Sequence, residues 1–563
     1  VSIERAGVKS RNVIWQQLKK KESCEVLILG GGINGTGLFR DLTAQGISCV
    51  LVDKDDFTAG ASSKSSRMIH GGLRYLENAE FKLVREAVLE RNRLLRYANH
   101  YVRPLKTSIP LDSWFAGMIK SPLVFLGFPV TVGGRGAVVV KFGLWFYDFI
   151  TCRNRQTPRH FFMSKAESAR EIPGLRTNIA CTANYWDAWV SQAERLCVEM
   201  IREGLTEESD SEAINYITAR KSLKDEVTLK DSITGEETVI RPKILVNATG
   251  AWVDIANKDL GLESQFMGGT KGSHLVIDNK ELYDILGDRM VYYEHSDGRI
   301  CITFRFMDKV IMGSTDIRIE NPDDAECDDA EVDYMMSTLK GVFPSLGLSK
   351  DDIVFRFCGV RPLPSSGLDY TSRVSRSHKT EVSEPDENRD FPIFSMIGGK
   401  LTTFGSFAGM TTDKVLRHLG KTRAVSINQR PYLGAVDYPK DEIAKQAWIE
   451  RVASANDLEH DRVGKLLERY GTEAERIASE TNNTPLENLG DYSVGEIEYL
   501  ARNECILHLS DITRRRSIIS ITGRGQKPAL VELAQVAGNI LGWDSERQNM
   551  EVGLAYTETI NGK

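Results

Sequence analysis

The chain has 563 residues, 41% of them hydrophobic and 27% charged, a balance that excludes a disordered, collagenous or multi-span membrane protein. Lys and Arg total 72 against 78 Asp and Glu, a net charge of −6, which argues against a surface built to wrap nucleic acid. The nine cysteines are scattered, odd in number and free of C-x-x-C pairs. They read as reduced thiols with no disulfide frame and no metal centre.

The first twenty residues are polar and charged and lack the apolar stretch of a secretory signal. Residues 25–29 (EVLIL) form a short apolar run that ends in glycines, the pattern of a buried strand. A helix over 30–46 and a second strand over 47–53 complete a βαβ unit of the expected size of about 30 residues. Helical spacing of Leu83, Val84, Ala87, Val88, Leu94 and Leu95 predicts a helix over 81–97. The stretch from Trp114 to Ile150 is the most apolar, but Lys120, Arg135, Lys141 and two prolines interrupt it. It reads as a loop plus a buried helix, or as a segment lying on a membrane surface.

Residues 214–246 alternate strands about a polar turn at 231–237, and 270–320 read as an antiparallel meander. Residues 321–333 are acidic and turn-rich, and 374–389 are polar; both are expected to be loops. A strand over 391–397 leads into a helix over 402–419. After about residue 430 helical periodicity dominates, which predicts a separate domain of about five helices.

Gly30-Gly-Gly32-Ile33-Asn34-Gly35 lies between the first strand and its helix. Gly30 allows the tight turn, Gly32 lets backbone approach a pyrophosphate, and Gly35 lets helix and strand pack closely. Asp53 ends the second strand, where an acid bonds an adenosine ribose. The motif by itself does not separate NAD from FAD. Two further pieces, Asn247-Ala-Thr249-Gly250 after a strand and Gly398-Gly399-Lys400-Leu401-Thr402 before a helix, would suit one long, buried ligand. That favours FAD. Between them, Ser62, Ser66, Gly71 and Gly72 belong to a small-residue segment that can wrap a flat ligand, with His70 and Arg74 beside it. A histidine takes a proton near neutral pH, and an arginine clamps phosphate or carboxylate.

The chain resembles the FAD-dependent glycerol-3-phosphate dehydrogenases of the respiratory, quinone-linked type. The likeness rests on GGGINGTG (30–37), ASSKSSRMIHGGLRYLE (61–77), LVNATGAWV (245–253), KGSHLVI (271–277), MGSTD (312–316), FCGVRPL (357–363) and GGKLTTF (398–404). It implies an α/β fold: a Rossmann-like FAD-binding domain, an antiparallel β-sheet substrate (cap) domain and an all-α C-terminal domain. The oxidoreductase region would span 22–425, with FAD-binding segments at about 22–80, 180–255 and 355–425. Cap segments at about 81–180 and 256–354 would interleave with these, and the helical domain would span 430–563.

The resemblance also implies roles. Gly30, Gly32, Ile33, Asn34, Gly35 and Asp53 would hold the adenosine and pyrophosphate of a non-covalent FAD. Ser62, Ser66, Gly71, Gly72, Thr249, Gly250, Asp316, Gly399, Leu401 and Thr402 would contact its middle and ring. Arg74, Tyr75, His274, Arg361, Arg376 and Lys400 fall at substrate positions, with His70, Lys400 and Arg361 as the catalytic set and no metal. The implied reaction oxidises glycerol 3-phosphate to dihydroxyacetone phosphate and passes electrons to a membrane quinone. The implied protein is a homodimer held peripherally on the cytoplasmic face of the membrane. Alternatives are oxygen as acceptor, an amine- or amino-acid-oxidising flavoprotein, and a flavin-bound scaffold without turnover. Arg305 departs from the family pattern, as a surface residue or a further cation at the site. The cluster Thr513–Arg516 reads as internal ion pairs, a solvated helix end or a contact for anionic lipid.

Overall fold

The computed structural model describes residues 10–73, 80–116, 136–152, 155–295, 297–365 and 377–561. Among these residues the chain forms two sheets and a helical C-terminal region.

The first sheet has eight strands. Its centre is parallel, in the order Ile393–Ile397, Glu237–Asn247, Ser23–Leu29, Cys49–Val52, Glu212–Ile214. The stretches at the centre of this sheet are apolar because both faces are covered, one by helices and the other by a helix and a small strand layer. On one face Leu38, Phe39 and Leu42 of the helix Ile33–Ala44 pack with Ile201, Phe407 and Val415 of two later helices. On the other face Ile14, Trp15 and Leu18 join Val227, Leu229 and Leu260. The expected strand–turn–strand at 214–246 is the antiparallel pair Val227–Asp231 and Glu237–Asn247, with Ile217–Lys221 beside it.

The second sheet has ten strands. The strands Thr270–Ile277, Lys309–Gly313, Ile300–Phe306 and Arg289–Glu294 run antiparallel in that spatial order. Val102–Leu111 continues the sheet parallel to Arg289–Glu294, and Cys181–Val190 follows antiparallel. Ile353–Arg361 closes the other side against Thr270–Ile277. Cys181–Val190 and Ile353–Arg361, which were expected in FAD-binding segments at about 180–255 and 355–425, hydrogen-bond within this sheet.

Several boundaries differ from expectation. The helix expected over 30–46 is Ile33–Ala44, because Gly30 has φ +102° and Gly32 is extended. The acidic stretch 321–333 is only partly loop. Asp328 and Glu331 form a reciprocal capping box that starts the helix Asp329–Val342, and acidic residues in the first turn favour the helix dipole. The polar stretch 374–389 contains the edge strand Lys379–Ser383, paired on one side with Ile393–Ile397. The C-terminal region has six α-helices among the described residues, from Glu442–Asn456 to Ser545–Asn561, where about five were expected. All nine cysteines are free.

Within 114–150 the described residues are 114–116 and 136–150, of which the helix Ala137–Thr151, 15 residues long, takes up nearly all the second part; residues 117–135 lie outside the described set. At 1.5 Å per residue it falls short of a hydrocarbon core of about 30 Å. No helix among the described residues is long and apolar enough to cross a membrane.

Candidate active site

A cavity of about 2800 Å³ opens where the two sheets and the C-terminal helices meet, well beyond the roughly 300–1000 Å³ of an ordinary ligand pocket. The dinucleotide turn forms part of its wall. A Cβ on Gly30 would sit 2.7 Å from the carbonyl oxygen of Ala248, and one on Gly35 would overlap the Gly30 carbonyl. Only glycine permits this crossing of strand end and helix start. The Ile33 amide donates to Ser62 Oγ at 2.9 Å, so the 61–66 segment folds over the helix N-terminus.

Asp53 accepts from the Gly31 amide at 2.6 Å and from the Asp55 amide at 3.0 Å. Burial outweighs these two bonds and pushes its carboxyl up to about 7. The far end of the oxidoreductase region returns to this place. Asn34 Nδ2 donates to the Gly398 carbonyl at 3.3 Å, and a Cβ on Gly399 would press on the Asn34 amide. Asn34 Oδ1 is buried and has no hydrogen-bond partner among the described residues. Gly398 and Gly399 both have positive φ, +80° and +102°. Thr249 closes on its own strand end through Asn247 Oδ1 at 2.7 Å, and Gly250 has φ +65°.

Every expected site residue in the described set lines this cavity except Gly35 and Gly71, which stand behind its wall. Arg74, Tyr75 and Arg376 lie outside the described residues. His70 is half-buried, and its backbone amide donates to Thr402 Oγ1 at 3.1 Å. His274 is buried, stacked on Phe357 at 4.9 Å, and its Nε2 lies 2.6 Å from Ser66 Oγ. Burial, with the charges of Arg361 and Arg67, drives its pKa down to about 3. His274 is therefore neutral at ordinary pH, a hydrogen-bonding group with little appetite for a proton.

Arg361 lines the cavity, but its guanidinium already donates to Asp316 Oδ1 at 3.0 Å, Ser314 Oγ at 2.8 Å, and the carbonyls of Thr315 and Lys271. It ties the turn after Lys309–Gly313 to its own strand. A phosphate would have to share or displace these bonds, which the sequence did not foretell. Arg305 instead donates to the Tyr283 carbonyl and stacks on the Tyr283 ring at 4.0 Å, outside the cavity.

Sequence reasoning missed a buried cluster under the His70 segment. Asp187 Oδ1 accepts from the Gly71 amide at 2.8 Å, from Tyr147 Oη at 2.9 Å and from Arg91 Nη1 at 3.2 Å. A Cβ on Gly71 would run into the Tyr147 ring. Arg67 forms a second buried pair, bidentate to Glu194. The available signal was an acid inside an apolar run: Asp187 sits within CTANYWDAWV, and a charge there must be partnered.

The Rossmann-type centre, the antiparallel cap and the shared cavity define a dinucleotide-dependent oxidoreductase. The glycine cradle, the buried and unsatisfied Asn34 oxygen, and the meeting of the 30–35 and 398–402 segments fit a long cofactor. The chain belongs to the FAD-dependent oxidoreductase family, whose model matches residues 25–391. Residues 426–548 match the model of the C-terminal domain of alpha-glycerophosphate oxidase. A glycerol-3-phosphate dehydrogenase of Synechocystis sp. is 29% identical over 561 residues, covering 94% of this chain and 95% of the relative. A D-erythritol 1-phosphate dehydrogenase of Brucella abortus is 28% identical over 89% of this chain. Among solved structures, the glycerol-3-phosphate dehydrogenase of Bacillus halodurans complexed with FAD superposes with a TM-score of 0.76 at 20% identity, covering 98% of this chain and 97% of that one. This chain is an FAD-dependent enzyme of that fold.

Proposed function

We infer that the protein oxidises sn-glycerol 3-phosphate to dihydroxyacetone phosphate and passes the electrons to a membrane quinone. One observation carries this reading: His70, Lys400 and Arg361, from three distant parts of the chain, line the same cavity as the dinucleotide turn. The dehydrogenase relatives that match nearly the whole chain support the substrate class.

Gly30, Gly32, Ile33, Asn34 and Asp53 would hold the adenosine half of FAD. Ser62, Thr249, Gly250, Gly399, Leu401 and Thr402 would hold the remainder. When bound, FAD supplies the acceptor for the hydride that leaves C2 of the substrate. His70 takes the proton of the C2 hydroxyl; His274 is the poorer base because its protonated form is so disfavoured. Lys400 stabilises the negative charge that develops on the substrate oxygen. Phosphate binding draws on Lys400 and Arg361, together with Arg74, Tyr75 and Arg376. Each charge-assisted bond contributes about 1.5–3 kcal/mol. Arg361 does so while keeping Asp316 and the 313–316 turn in place.

The helix Ala137–Thr151 supports peripheral attachment to a membrane. Phe142, Trp145 and Phe149 are 71%, 63% and 63% exposed on it, while Leu144 and Tyr147 face inward. Exposed aromatics on one helix face suit the boundary between lipid headgroups and acyl chains.

The test is steady-state turnover of FAD-loaded protein with sn-glycerol 3-phosphate and a soluble quinone analogue. The reading expects dihydroxyacetone phosphate with quinone reduction and no peroxide. Peroxide formation in air at a matching rate without quinone would make oxygen the acceptor. Faster turnover of a longer polyol phosphate such as erythritol phosphate would reassign the substrate.

A further inference from the structure

The basic cluster Arg514-Arg515-Arg516 is not a surface feature. Arg515 and Arg516 are buried, on a π-helical turn, Asp511–Arg516, of the C-terminal region. Arg516 reaches across to Asp56 with a fork of two bonds, 2.7 and 2.9 Å, and Arg515 Nε bonds the same carboxylate at 2.5 Å. Asn215 Nδ2 adds a bond to Asp56 at 2.8 Å. Asp56 stands three positions after Asp53, in the turn that leaves the second parallel strand.

A second link runs beside the first. Asp511 accepts from Tyr216 Oη at 2.7 Å, from Arg515 and from two backbone amides. Tyr216 is held with φ +58°, and its backbone amide donates to the Asp55 carbonyl at 3.0 Å. Tyr216, Asp53 and Asp56 line the cavity, and so do His508, Ser510 and Arg515 of the C-terminal region. The helical region thus forms part of the cavity wall and grips the Asp53–Asp56 turn from behind.

We propose that the C-terminal helical domain is part of the FAD-holding apparatus, in which Arg515, Arg516 and Asp511 position the Asp53–Asp56 turn and Tyr216 around the adenosine end. This rests on the reading that Asp53 holds the adenosine ribose. The consequence is that cofactor affinity depends on residues more than 450 positions away from the dinucleotide turn, in a domain outside the matched oxidoreductase model. Arg515 and Arg516 act through Asp56 and are positioning residues, not catalytic ones.

The experiment uses full-length apoprotein, refilled with FAD and followed by flavin fluorescence, with melting temperatures measured with and without FAD. Three variants are compared with wild type: Arg516→Lys, which keeps the charge and loses the fork; Tyr216→Phe, which loses only the hydroxyl bond to Asp511; and Asp53→Asn. The expected result is an FAD dissociation constant raised about tenfold in Arg516→Lys and severalfold in Tyr216→Phe, with a smaller rise in melting temperature on adding FAD. A merely structural role would lower both melting temperatures equally and leave their difference unchanged, and that outcome overturns the proposal. Weakened binding in Asp53→Asn with wild-type binding in the other two also overturns it. Wild-type binding in Asp53→Asn overturns the adenosine reading itself, and with it this proposal.

Discussion

Two carboxylates carry the sharpest expectations at the residue scale. Asp53 has its carboxyl near 7 because burial opposes two amide bonds. A ribose hydroxyl donates better to the ionised form, so apoprotein should bind FAD more tightly as pH rises from about 6 to about 8. Fluorescence titration across that range should show the trend in wild type and a flat line in Asp53→Asn. Asp187 holds the Gly71 amide, one position from His70, while paired to Arg91. Asp187→Asn should slow flavin reduction in single turnover by roughly 10–100-fold through displacement of the His70 segment. It should also destabilise the fold by about 3–5 kcal/mol, because Arg91 is left as an uncompensated buried charge; urea unfolding checks the second effect. The glycine turn and Asp53 could be read from spacing, which has a local backbone reason, whereas the His70 segment was read from its small residues and from the family resemblance. Asp187 and the state of Arg361 were legible in neither way. Which side chains meet a cation is decided by strand neighbours that lie far away in sequence, here the turn at Ser314–Asp316.

At the element scale, apolar periodicity found the helix Phe81–Tyr97, and the antiparallel strands from Thr270–Ile277 to Lys309–Gly313 fall within the expected 270–320 meander. It failed where polar composition hid regular structure. Lys379–Ser383 is an edge strand, and an edge needs no apolar face on both sides. The acidic run before Asp329–Val342 is a helix start, where carboxylates belong. The helix Ala137–Thr151 is the element whose outer face bears on attachment. Phe149→Ser should cut sedimentation with phospholipid vesicles severalfold while leaving FAD content intact, since Phe149 is exposed and stands outside both the cavity lining and the core around Leu144 and Tyr147. Equal sedimentation of wild type and variant would remove this helix from the docking surface.

Over the whole molecule, the cluster at 514–516 changes meaning. Read along the chain it offers three alternatives. In three dimensions it is a set of internal ion pairs that fasten the helical domain to the first sheet. Arg195–Glu504 and Arg202–Glu473 reinforce the same junction. Burial alone would raise the Asp56 carboxyl, but Arg516 and Arg515 hold it down at about 2. A depressed carboxylate contributes stability that is full above its unfolded value of about 3.9 and is lost as pH falls through the folded value. Asp511 works in the opposite sense, because burial and the charge of Asp56 raise it. Asp56→Asn should therefore be less stable at neutral pH, and its stability should fall less between about pH 4 and about pH 2 than that of wild type. Urea unfolding at stepped pH measures both.

The most direct test of the central claim is anaerobic mixing of the FAD-loaded protein with sn-glycerol 3-phosphate while the flavin absorbance is followed. The account predicts rapid bleaching in wild type and bleaching slowed by about 10²–10⁴-fold in His70→Ala. Full FAD occupancy with no bleaching by glycerol 3-phosphate would contradict it.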